Sequence, residues 1–80
     1  MKTYLLHHAH DPGECGVVFA SFKGHESPLR RRTAVASCHY GGHSIWWIVH
    51  ALCEDDALAL LPYFVACRTS AIAVTDVRIP

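Results

Sequence analysis

The stretch from Ala34 to Leu52 constrains this chain more than any other. Two runs rich in strand-forming residues, Ala34 to Tyr40 and Ser44 to Leu52, flank the pair Gly41-Gly42. Glycine reaches positive φ without steric penalty, so this pattern predicts a β-hairpin closed by a primed two-residue turn. Cys38, His39, Tyr40 and His43 then sit at the mouth of that turn.

Around the hairpin the periodicity is regular. Residues 3–10 read as a strand with Tyr4, Leu6, His8 and His10 on one face and Leu5, His7 and Ala9 on the other. Asp11-Pro12-Gly13-Glu14 has the form of a helix start, with a cap, a proline at the first helical position and a capping-box glutamate. Cys15, Val18, Phe19 and Phe22 recur at helical spacing, and Gly24 supplies a stop. A polar loop from His25 to Arg32 follows, containing the run Arg30-Arg31-Arg32, which reads as a solvated segment. The second strand spans about Thr33 to Tyr40 and the third about Ser44 to Leu52. A second helix begins near Asp55 or Asp56 and buries Ala57, Leu60, Leu61, Phe64 and Val65, with Pro62 kinking or splitting it. Ala71 to Ile79 reads as a fourth strand.

Strand, helix, strand, strand, helix, strand is the ferredoxin-like order. It predicts one α+β domain over residues 1–80, a βαββαβ sandwich whose four-stranded antiparallel sheet has the order 4-1-3-2 with two helices on one face. In element order, length and aromatic central strands the chain resembles the dimeric α+β barrel superfamily. That resemblance implies a homodimer whose helix-free sheet faces enclose a small cavity. A dimer also follows from the residues, because two helices cover only one face of a sheet that looks apolar on both.

Composition narrows the function classes. Seven basic and seven acidic residues balance, so no electrostatic footprint for nucleic acid or an anionic membrane is present. No apolar run approaches the roughly 20 residues of a membrane span. Four widely spaced cysteines without an export signal read as reduced thiols, hence a cytoplasmic protein. Seven histidines are the anomaly.

Topology places His7, His8, His10, Cys38, His39, Tyr40 and His43 at one end of such a sheet, with Cys15 and Cys67 close by. Imidazole and thiol together suit zinc, copper or nickel. The expected ligand set is His8, His10, Cys38 and His43, with His7 and His39 as weaker members. An enzyme without a metal is the alternative. In it His8 or His43 acts as acid or base on a small apolar substrate, as in the isomerases, lactone-processing enzymes and oxygenases of the resembled superfamily. Tyr4, Tyr40, Trp46 and Trp47 would wall the substrate cavity. Trp46 and Trp47 are adjacent, so one is expected in the core and the other at the dimer interface. Cys15, in the first turn of a capped helix, is either a reactive thiol or a small buried hydrophobe. A structural or interaction domain without a ligand is the third reading.

Overall fold

The computed structural model describes all 80 residues. Its frame is a four-stranded antiparallel sheet made of β1 (Lys2–Ala9), β2 (Val35–Ala36), β3 (Ser44–Ala51) and β4 (Thr69–Val74). From edge to edge the strands run β2-β3-β1-β4, or β4-β1-β3-β2 from the other side. The central pair is the longest, β1 running from Lys2 opposite Ala51 to Ala9 opposite Ser44.

One face of the sheet carries the core. Tyr4 and Leu6 of β1 and Ile45, Trp47, Val49 and Ala51 of β3 are buried there. Over them lie Val18 from α1 (Cys15–Ala20), Ala57 from α2 (Glu54–Leu58), Leu61, and Val65 from α3 (Tyr63–Ala66). The alternation of β1 therefore resolves in favour of the even-numbered face, and His8, fully buried, belongs to it. On the other face Ile48 is 69 % and Ile72 55 % exposed.

The ferredoxin-like sandwich with two full helices over one face is corrected by this arrangement. The helical layer is three short pieces of six, five and four residues. Gly24, at φ 78°, ends the turns that follow α1. Pro62 is extended at ψ 149° and has no amide to donate, so the second helical segment splits into α2 and α3.

Three expected elements are also shorter than the periodicity predicts. β2 pairs only through Val35 and Ala36, because from Ser37 onward local turn bonds replace the ladder: the Ser37 carbonyl accepts from the amides of Tyr40 and Gly42. β4 stops at Val74, opposite Thr3, where β1 has nearly run out of residues to pair with. The first helix begins as a 3-10 turn over Pro12–Glu14, entered by the Asp11 amide donating to Glu14 Oε1 at 3.0 Å. No helix is long and apolar enough to cross a membrane.

Candidate metal centre

The expected two-residue turn at Gly41-Gly42 is replaced by a wider loop. The Ser37 amide donates to the Ser44 carbonyl at 2.9 Å, and the Ser44 amide donates back to Ser37 Oγ at 3.1 Å. This clasp closes a loop in which Cys38–Tyr40 forms a 3-10 turn, Gly41 is left-handed at φ 83°, and His43 is left-handed at φ 49°. A Cβ on Gly42 would overlap the Ser37 hydroxyl, so the clasp requires glycine at that position. A positive φ on histidine is uncommon and turns its side chain back across the loop mouth.

That loop brings Cys38 and His43 against the end of β1 and the start of α1. His10 Nε2 lies 3.1 Å from Cys15 Sγ, Cys15 Sγ lies 3.1 Å from His43 Nδ1, and Cys38 Sγ lies 3.6 Å from His10 Nε2. One donor atom from each of His10, Cys15, Cys38 and His43 falls within 4.8 Å of all the others. A tetrahedral zinc ion with metal–nitrogen and metal–sulfur bonds of about 2.05 and 2.3 Å needs donor separations of about 3.3–3.8 Å. The measured pairs lie within a few tenths of an ångström of that range, and the widest separation in the set, at most 4.8 Å, would close by up to about 1 Å on binding an ion. The backbone ties the segments together as well, since the His10 amide donates to the His43 carbonyl at 3.1 Å.

Behind His10 a directional chain of hydrogen bonds sets which of its ring nitrogens donates. Thr69 Oγ1 gives its single proton to the Val65 carbonyl at 2.7 Å. The same oxygen, 3.2 Å from His8 Nδ1, must therefore accept from that ring. His8 is held neutral, its pKa lowered first by burial, then by His10 and by Arg68, against the opposing pull of hydrogen bonding to the backbone at Val65 and Arg68. With Nδ1 protonated, His8 Nε2 can only accept, and it does so from His10 Nδ1 at 3.1 Å. In the neutral ring of His10 the lone pair then lies on Nε2, the atom that faces both thiols. A histidine held by its other ring nitrogen in this way is oriented and made a better ligand.

Of the residues expected as ligands, His10, Cys38 and His43 converge. His8 does not join their donor atoms but buttresses His10 from behind. Cys15 takes the fourth place. Its signal in the sequence is spacing: His10 and Cys15 are separated by four residues, as are Cys38 and His43. The weaker members lie elsewhere. His7 is on the opposite face, stacked on Trp46 at 5.1 Å and bonded to Ser44 Oγ, and His39 is exposed on the loop.

The aromatic wall is corrected too. Tyr4 is in the core, Tyr40 is 94 % exposed at the loop tip, and Trp46 and Trp47 point to opposite faces of β3, so the four do not share a cavity. His8, sealed from solvent, does not reach a substrate as an acid or base would. All four cysteines are free thiols. Burial, and then the neighbouring Cys38 thiol, push the Cys15 thiol above its ordinary value. Comparison with protein-family models, curated proteins and solved structures gives no match.

Proposed function

We propose that this chain is a metal-binding domain that holds one zinc-type ion through His10 Nε2, Cys15 Sγ, Cys38 Sγ and His43 Nδ1. The convergence of these four donors from three separate segments carries the reading. Two thiolates and two imidazoles favour zinc over hard cations, and four protein ligands complete a tetrahedron without leaving a position for substrate. The ion's role is then structural. It clips the hairpin loop to the β1–α1 junction of a chain whose apolar core has only ten buried residues, where a metal can supply folding energy that packing does not.

Elemental analysis of untagged protein should find one zinc per chain, and titration of the metal-free form should saturate at one equivalent. Stoichiometric metal that survives joint replacement of Cys15 and Cys38 by serine would sink the reading.

A pH dependence follows. Because its pKa is raised, the Cys15 thiol carries its proton at neutral pH in the metal-free chain, and the metal must displace that proton. Affinity should rise with pH by about tenfold per unit for each proton displaced. Competition titrations between about pH 6 and pH 8 measure the slope, and a flat profile would rule out thiolate ligation of this kind.

We further infer that two copies pair through their helix-free sheet faces. Leu5, Ile48 and Ile72 lie side by side there, with Val35 70 % exposed on β2. Light scattering should report a dimer, and Ile48→Glu, at the centre of the face, should convert it to a monomer with the metal still bound. A wild-type chain that stays monomeric at about 100 μM would overturn the pairing, that being a weak limit for an interface of standard size.

A further inference from the structure

The three consecutive arginines, which read in the sequence as a solvated loop, border a cavity of about 230 Å³ between α1, the following loop and β3. Phe19, Phe22 and Trp47 line it together with Arg30, Arg31 and Arg32. The space exists for two structural reasons. β2 is a two-residue edge strand, and its neighbourhood presents only Ala34 and Ala36 to the cavity, side chains too small to fill it. Trp47, buried at 9 % exposure and packed 6.1 Å from Phe22, forms an aromatic base, while Phe19 remains 54 % exposed.

In an extended run, successive side chains would alternate between faces. Here all three arginines reach the same opening, because the chain turns: the Arg30 amide donates to the Ser27 carbonyl, the Arg32 amide to the Leu29 carbonyl, and Arg31 is left-handed at φ 67°. None of the three has an acid partner, since the one salt bridge of the chain joins Arg68 to Glu14. The nearest acid in sequence, Glu26, is exposed and outside the lining. Three of the seven basic residues of a net-neutral chain are thus gathered, uncompensated, at the rim of an aromatic pocket.

We propose that this cavity is a binding site for a small carboxylate with a one-ring aromatic body. The charge complement comes from the guanidinium forks, which match carboxylate geometry, and the ring would lie against Trp47 and Phe22. The volume of about 230 Å³ admits one ring with a short acid arm. The site is separate from the metal centre and does not depend on it.

The test is a two-dimensional NMR titration of the chain as isolated with sodium phenylacetate, and in parallel with its neutral isostere phenylacetamide. Saturable binding with Kd roughly 0.1–1 mM is expected, with shifts at the Trp47 indole N–H and at Phe19. Replacing all three arginines by glutamine should weaken it at least about tenfold, as charge-assisted hydrogen bonds are lost. Phe19→Ser, at an exposed position, should weaken it severalfold and serves if the triple variant does not fold. Phenylacetamide binding as tightly as phenylacetate would overturn the proposal, and so would phenylacetate affinity unchanged in both variants. Attachment to anionic lipid vesicles without saturable phenylacetate binding would also overturn it, in favour of a membrane-surface contact.

Discussion

Replacing Cys15 with serine is expected to lower zinc affinity about a hundredfold or more and to lower the melting temperature of the metal-loaded protein. A structural zinc site contributes on the order of 10–16 kcal/mol in small domains, so one of four ligands accounts for roughly 3 kcal/mol. The effect on folding follows because Cys15 sits at the first turn of α1, one residue after the 3-10 turn that leaves β1. Without its thiolate the ion no longer joins α1 to the hairpin loop. Cys38→Ser should behave alike. Cys53→Ser and Cys67→Ser should change neither quantity, because both thiols are exposed and outside the cluster. The contrast separates ligation from a general sensitivity of thiols. Equal losses from all four variants, or none from Cys15, would remove the basis for the assigned set. Isothermal titration and thermal melts with and without chelator give the two readouts.

The second large effect belongs to a residue that touches no metal. Thr69→Val keeps the shape of the side chain but removes the oxygen that accepts from His8 Nδ1 and donates to Val65. His8 is then free to take its other tautomer, in which Nε2 carries the proton and meets the N–H of His10 head on. Either His10 surrenders its Nε2 lone pair or the His8–His10 bond is lost. Metal affinity should fall about 10- to 100-fold, the usual range for loss of a partner behind a ligating histidine. Thr69→Ser, which restores the hydroxyl, should recover most of it. A merely structural role would not show this rescue, because serine lacks the methyl that packs. Unchanged affinity in Thr69→Val would mean that His10 is oriented by the metal alone. Replacing His8 by leucine should be worse still, since a buried imidazole N–H on His10 would lose its acceptor at a cost of about 1–3 kcal/mol.

Much of the fold was legible because it rests on local rules. The alternation of Tyr4, Leu6 and His8 marks β1, the Asp11 to Glu14 cap marks the start of α1, and Pro62 marks the break between α2 and α3. The lengths were not legible. Periodicity continues through Ser37 to Tyr40 and from Thr75 to Ile79, but a strand needs a partner. At one place turn bonds outcompete the ladder, and at the other β1 has ended. The amphipathic stripes likewise promised a first helix reaching Gly24 and a second kinked or split at Pro62, where the packed chain keeps three short pieces.

The candidate site divides the same way. Residue types and strand-end positions were enough to place His10, Cys38 and His43 at one end of the sheet and to point to nitrogen–sulfur ligation. The sequence favoured His8 as the remaining ligand and read Cys15 as a reactive thiol or a small buried hydrophobe. Both lie within five residues of His10, and on an ideal alternating strand His8 shares its face. What decided was the bend after β1. Past Ala9 the chain leaves the sheet, so His10 turns its Nε2 towards α1, and His8, still in the sheet, can reach only the back of that ring. Composition and periodicity determined that this protein is a small α+β chain with an excess of soft ligands at one end. Only the tertiary structure decided which atoms face each other, because donor geometry depends on loop dihedrals and ring tautomers, which are set by contacts distant in sequence.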